Sequence, residues 1–281
     1  LPYGCVTEEQ LTAVDAIIHV IKGKSKRPLV LTADRGRGKS SALAIACAQL
    51  LAGAQNDNKL HIIITAAELS SVKIFFNQLA QSLPPGNQED QRFSAPHGFV
   101  EFVAVDKLLE QQPKVSLVLV DEAAAIPVYL LERLSSHHSR MVFASTIHGY
   151  EGAGRGFSLK FQQCLSESFP KWRSLHINEP IRWRSGDPLE QLIFDACLLN
   201  AELPSLNNSC RNAPLTVINN QLECKHFTSK DLLADEHLLR SVFSILVTAH
   251  YQTKPSDVQM LLDNKQVQLV CLISTDREVE Q

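Results

Sequence analysis

Residues Ala33 to Ser40 read A-D-R-G-R-G-K-S, directly after the apolar run Leu29-Val30-Leu31. This order of residue types suits one task, the holding of a polyphosphate. Gly36 and Gly38 let the chain turn tightly, so that backbone N–H groups of Ala33, Asp34, Arg35, Gly36, Arg37 and Gly38 can surround an anion. Lys39 then reaches the outer phosphates as a mobile point charge, and the Ser40 hydroxyl is a ligand for Mg²⁺. The stretch from Ser41 to Leu51 has a helical pattern, so the phosphates would also lie at a helix N-terminus. Ala33 stands where glycine is the commoner residue in such loops.

A loop of this kind needs an acidic partner at the end of a neighbouring buried strand. Leu117-Val118-Leu119-Val120-Asp121-Glu122 supplies it. Asp121 is placed to hold Mg²⁺ through its water shell, and Glu122 to orient or deprotonate an attacking water. Taken alone, the two acids would read equally well as the cap of the next helix. Ser145-Thr146 ends another apolar run, where hydroxyls can sense a γ-phosphate or connect Glu122 to the next element. Arg182, in Glu179-Pro180-Ile181-Arg182-Trp183, can clamp the γ-phosphate and stabilise charge in the transition state; taken alone, it reads more readily as a surface ion pair. Thr7-Glu8-Glu9-Gln10 has two readings. One is a capping box in which Gln10 reaches back to the Thr7 N–H; the other is an adenine-reading glutamine. Spacing alone leaves both open.

These residues must be positioned by an alternating fold. Apolar runs at 28–33, 60–65, 99–105, 116–121, 140–146 and 173–178 alternate with helical patterns near 8–22, 39–52, 70–82, 126–138, 155–168 and 187–200. That alternation predicts an α/β protein with a doubly wound, mainly parallel sheet. Ligands of such sheets sit beyond the carboxyl ends of the strands, where the phosphate loop, Asp121–Glu122 and Ser145–Thr146 all fall. The Pro-rich stretch 83–97 predicts a surface loop, and 203–214 a linker. The segment Val217 to Phe227, a helix over 230–251, a shorter helix over 255–263 and a strand over 267–273 follow.

With 281 residues, 44% hydrophobic and 20% charged, the chain can fill a core and carries no long disordered tract. It shows no membrane span and no signal peptide. The seven cysteines form no C-x-x-C pair, which argues against zinc and suits a reducing cytoplasm. A net charge of −3 gives no bulk case for nucleic acid, so such a partner needs a local patch. K-G-K-S-K-R at 22–27 is one candidate, against the plainer reading of a solvated loop. Leu1 is not an initiator Met, which suggests a piece of something longer.

Four motifs in order are T-A-D-R-G-R-G-K-S, V-D-E-A-A-A-I-P, S-T-x-x-G-Y-E-G-x-G-R-G-F and E-P-I-R-W-x-x-G-D-P-L-E. Together they resemble the tRNA(Met) cytidine acetyltransferase family. A-H-Y-Q-T-K-P-S-D-V-Q-M-L-L-D at 249–263 resembles the start of that family's acetyltransferase domain. The resemblance implies a P-loop ATPase domain of RecA/RecD-like type over 1–205, a linker over 206–226, and the first part of an α+β GNAT-like domain over 227–281. It implies ATP, Mg²⁺ and acetyl-CoA as cofactors, elongator methionine tRNA as partner, and N4-acetylcytidine at the wobble position as product. Carried over by position, Gln10, residues 33–41 (Ser41 included) and Arg182 contact ATP. Two departures stand out. Ala153 replaces the family's usual Thr, and no acetyl-CoA loop of the form [Q/R]-x-x-G-x-[G/A] follows residue 190. The expectation is therefore an RNA-dependent ATPase module that does not itself acetylate. Rival readings are a nucleotide-gated RNA clamp without turnover and a RecD-type DNA helicase.

Overall fold

The computed structural model describes residues 1–54, 59–84, 86–147, 154–201, 222–249 and 255–274. By internal contacts the chain divides into two compact units, Leu1–Asp187 and Pro188–Gln281.

In the first unit the apolar runs become β1 (Leu29–Ala33), β2 (Leu60–Thr65), β5 (Gly98–Phe102), β6 (Leu117–Val120), β7 (Met141–Thr146) and β8 (Arg173–Ile177). Two short strands, β3 (Asn87–Glu89) and β4 (Arg92–Ala95), precede β5. The helices are α1 (Glu8–Lys22), α2 (Lys39–Ala52), α3 (Lys73–Ser82), α4 (Val105–Gln111), α5 (Val128–His137) and α6 (Gly154–Ser168). The sheet order is β3-β4-β5-β2-β6-β7-β1-β8, and all neighbours from β5 to β8 are parallel. Successive side chains of a strand point to opposite faces, and the core follows that rule. Leu29, Leu31, Leu117, Leu119, Val142 and Ala144 pack with α1, α2 and α3. Val30, Val118, Val120, Met141 and Phe143 pack with α4, α5 and α6. Strands covered on both faces need the continuous apolar runs seen in the sequence. α2 is buried from Ala42 to Ala48, and its small side chains let it lie between α1 and α3.

Two expectations are corrected here. The stretch 83–97 is not a plain surface loop, because β3 and β4 form a hairpin that extends the sheet antiparallel to β5. Phe93, fully buried, anchors it, and a single apolar residue in a polar stretch leaves no periodic signal. The chain after β5 also turns into the short helix α4, where the apolar run predicted strand as far as residue 105.

The second unit opens with α7 (Pro188–Ala196). β9 (Leu222–Phe227) pairs antiparallel with β10 (Leu269–Ser274). Between them lie α8 (Ser229–Ala234), α9 (Glu236–Ala249) and α10 (Pro255–Asp263). The helix expected over 230–251 thus breaks at Asp235, which is extended. Leu232, Phe243, Val258 and Leu261 form a small core of this unit. The expected linker 203–214 lies outside the described residues.

Candidate functional site

The carboxyl ends of β1, β6, β7 and β8 carry the residues that the sequence singled out. Between β1 and α2 the chain passes through Gly36 (φ +82°) and Gly38 (φ +78°), both left-handed, and Gly38 is the N-cap of α2. Only glycine takes these conformations without strain. Both glycines are also covered. A Cβ on Gly36 would stand 2.5 Å from Trp183 Cη2, and one on Gly38 would collide with Ile181 Cδ1.

Lys39 opens α2 and is buried. Its Nζ donates to Thr146 Oγ1 at 2.9 Å and lies 3.4 Å from the Ala33 carbonyl and 3.5 Å from that of Asp34. Thr146, the last residue of β7, donates in turn to Glu122, with Oε2 at 2.9 Å and Oε1 at 3.2 Å. Glu122 Oε1 is 4.0 Å from the Lys39 ammonium. Lys39, Thr146 and Glu122 are therefore one connected group. β7 lies between β1 and β6 in the sheet, so its terminal threonine is the residue able to bridge them. Glu122 is held at φ +45°, ψ +53°, a left-handed conformation uncommon for a side-chain-bearing residue and frequent at functional sites.

Asp121 is fully buried. Its Oδ1 accepts from the Glu122 N–H at 3.0 Å, and Oδ2 has no hydrogen-bond partner among the described residues. Burial, reinforced by the charge of Glu122, pushes this carboxyl up to about 6, against the opposing pull of the Ser40 hydroxyl and the Lys39 charge. A buried carboxylate oxygen left open is costly unless something fills its site. The hard-oxygen chemistry of Asp121 and Ser40 fits a largely hydrated Mg²⁺.

Arg182 lies in the segment after β8. That segment is fastened to the phosphate loop and to α1. The Ile181 N–H donates to the Gly36 carbonyl at 3.0 Å, and the Arg37 guanidinium lies 5.7 Å from the Trp183 ring centroid. Glu9 accepts from the N–H groups of Asn178 (2.5 Å) and Glu179 (2.8 Å). The Glu179 N–H, foremost, holds the Glu9 carboxyl below its usual range. Sequence reasoning gave no role to Glu9, Ile181 or Trp183. The bulky apolar residues on either side of Arg182 were the available signal.

The expected capping box is half present. Thr7 Oγ1 accepts from the Gln10 N–H at 3.1 Å, but the Gln10 side chain accepts from Val6 N–H at 2.8 Å, one residue earlier than expected. The Gln10 amide is buried, and a Cβ on Gly38 would come within 3.0 Å of its Nε2. Gln10 therefore caps α1 and adjoins the phosphate loop at once. Gln10, Arg35, Gly36, Gly38, Lys39, Ser40, Ser41, Glu122 and Arg182 all line one cavity of about 560 Å³. Ile45, Glu68, Ser70, Ile74 and Gln78 also line it. Ala33 and Asp34 contribute through their carbonyls. Among the described residues, the Ser145 hydroxyl has a 3.4 Å contact to the Thr146 carbonyl. The glycine-rich run from Gly149 lies outside the described residues as far as Ala153, and α6 begins at Gly154.

Residues 30–200 match the family model described as RNA cytidine acetyltransferase NAT10/TcmA, helicase domain. The tRNA(Met) cytidine acetyltransferase TmcA of Vibrio cholerae serotype O1 is 43% identical over 261 residues, covering 93% of this chain and 35% of the relative. That of Nitrosococcus halophilus is 45% identical over 260 residues, covering 92% and 34%. The chain thus spans about a third of the length of the curated relatives it matches. Among solved structures, the large terminase from a thermophilic bacteriophage aligns with a TM-score of 0.49 at 11% identity, over 68% of this chain and 50% of that one. The Pif1 helicase from Candida albicans aligns with a TM-score of 0.41 at 10% identity, over 80% and 57%.

Proposed function

Because the chain belongs to the RNA cytidine acetyltransferase NAT10/TcmA family, we propose that it supplies the ATP-binding and ATP-hydrolysing module of such an enzyme. The whole protein would use acetyl-CoA and ATP to form N4-acetylcytidine at the wobble position of elongator tRNA(Met), in the cytoplasm. The observation that carries this reading is the connected group of Lys39, Thr146 and Glu122 beside the glycine-built start of α2.

In this reading the N–H groups of residues 34–41 and the α2 N-terminus receive the phosphates. Lys39 exchanges its bonds to Thr146 and the loop carbonyls for phosphate oxygens. Gln10, at the other side of Gly38, reads the adenine. Asp121 and Ser40 would hold Mg²⁺, which when bound neutralises charge on the phosphate oxygens. Glu122, steered by the Thr146 hydroxyl, orients the attacking water and takes its proton. Arg182 stabilises the charge that develops on the γ-phosphoryl group. The nucleophilic water, the γ-phosphorus and the leaving oxygen must be nearly in line, so a fixed Glu122 matters more than a strongly basic one. Acetyl transfer is assigned to residues beyond this site. The flipping-out of the target cytidine, a base otherwise stacked, is the step that hydrolysis would drive.

The test is ATP turnover by the full-length protein with and without elongator tRNA(Met). The reading predicts phosphate release that the tRNA stimulates. No release under either condition, with ATP still bound, would favour a nucleotide-gated RNA clamp.

A further inference from the structure

The segment K-G-K-S-K-R at 22–27 has no part in the site above. It lies at the opposite, amino-terminal edge of the sheet, and it is fastened there. The Lys26 N–H donates to the Ser139 carbonyl at 2.8 Å, and Arg140 Nη2 to the Gly23 carbonyl at 3.4 Å. The Arg173 N–H donates to the Pro28 carbonyl at 2.9 Å. Lys24, Arg27 and Arg173 thereby share one shallow crevice with His19, Gly23 and Leu29.

The register of the sheet extends this patch into a row. β1 pairs Leu29 with Val142 and with Arg173. Continued back by two residues, that register sets Arg27 beside Arg140 and Lys171. The pairing of Ile62 with Leu117, continued back by three, sets Lys59 beside Lys114. In sheet order the edge therefore reads Lys59, Lys114, Arg140, Arg27, Lys171. At ~4.8 Å per strand the row is about 19 Å long, enough for several phosphates of a nucleic-acid backbone to pass along it. None of these five side chains, nor Lys24 or Arg173, forms an ion pair among the described residues. Arg140 Nε is buried and has no hydrogen-bond partner among the described residues. In the chain, Asp57, which lies outside the described residues, is the acid nearest to Lys59, and Glu110 and Glu167, near the ends of α4 and α6, are those nearest to Lys114 and Lys171.

Helix C-termini also point to this edge, and they favour nearby cations. That effect is confined to the last turn of each helix. It accounts for Lys22 better than for Arg140 and Arg173, which are fixed by strand register. A protein partner would need exposed apolar or aromatic anchors amid the charge. Among the described residues, the exposed large apolar residues of this unit, Leu1, Tyr3, Val6, Leu69, Ile74 and Tyr129, lie at the chain start or toward the opposite edge.

From this arrangement we infer that the amino-terminal edge of the sheet is a docking surface for the sugar-phosphate backbone of a polynucleotide. Its identity as RNA rests on the function proposed above; the surface itself does not. Phosphate contacts of this kind position a nucleic acid without reading its sequence. The edge would hold the body of an RNA while the opposite edge works on ATP.

The experiment measures binding of fluorescent elongator tRNA(Met) to the full-length protein over a range of salt concentrations. A variant with Arg27→Gln and Arg173→Gln is compared with wild type and with Lys73→Gln, on α3, as control. Neutralising two phosphate contacts should weaken binding roughly tenfold at low salt and flatten the slope of log Kd against log salt by about 2. Lys73→Gln should change neither. ATP turnover in the edge variant, measured without RNA, should stay at the wild-type level and shows that the unit is folded. If turnover is absent even in wild type, a melting curve serves that purpose, and the RNA result still decides this proposal. Unchanged affinity and slope in the edge variant would overturn it. So would competition by polyglutamate as effective as that by unlabelled tRNA at equal charge, which would point to an acidic protein.

Discussion

The two edges of one sheet handle charge in opposite ways. At the carboxyl ends, Lys39 and Asp121 are buried and Glu122 is bonded through Thr146. At the amino ends, Lys24, Lys59, Lys114 and Arg173 are exposed and form no ion pair among the described residues. Buried charges cost free energy unless partners are fixed around them. The first edge therefore suits one small ligand of fixed geometry. Exposed charges are screened and geometrically tolerant, and the second edge suits a long polyanion. Substitutions at the first should act on chemistry, and at the second on salt-dependent binding.

The sharpest break in that contrast is Lys39→Ala. It removes the charge to which Thr146 and two loop carbonyls are directed, and ATP turnover should fall by roughly a hundredfold or more. Phosphate release measures this, and tRNA affinity at the amino edge should be unaffected.

Next comes the glycine cradle. Gly36→Ala places a methyl against Trp183 and a Cβ at φ +82°, at a cost of about 1–3 kcal/mol in stability together with weakened ATP binding. Adding Trp183→Ala should relieve the collision but leave the backbone strain of about 1–2 kcal/mol. Chemical denaturation of these two variants and of Trp183→Ala alone separates these parts in a double-variant cycle, and strictly additive losses would show that Trp183 is not the obstacle.

Asp121 gives a pH signature. Its carboxyl titrates near 6 when folded against an ordinary 3.8. Between those values the folded state holds the extra proton, so this group's contribution lowers stability as pH rises from about 4 to about 6. Asp121→Asn should melt higher than wild type above that window, with the gap closing below it. Mg²⁺-dependent ATP binding should strengthen through the same window more in wild type than in Asp121→Asn, since the metal takes the ionised carboxylate, beyond the part both share from ionisation of ATP itself. The smallest effect belongs to the other edge: Arg27→Gln with Arg173→Gln should shift stability by no more than about 0.5 kcal/mol per site, as a melting curve would show.

Legibility in the sequence divides along similar lines. The phosphate loop, Asp121–Glu122 and the six parallel strands could be read because each is a local pattern, with fixed spacing or a continuous apolar run. Phe93 could not, since one buried aromatic makes no period. The covering of Gly36 and Gly38 by Trp183 and Ile181 depends on β8 lying beside β1, a long-range pairing that no local pattern encodes. The same holds for the basic row. K-G-K-S-K-R is visible as composition, but its neighbours Arg140 and Arg173 come from other strands. Thr146 was visible as a strand end, while its bridging role required the strand order.

The central claim is that Glu122, held by Thr146, serves hydrolysis and not ATP binding. Glu122→Gln keeps the side chain's size and its ability to accept from the Thr146 hydroxyl, but removes the base. The account predicts ATP affinity within about twofold of wild type and turnover reduced by roughly 10²–10⁴-fold. Turnover equal to wild type would contradict it.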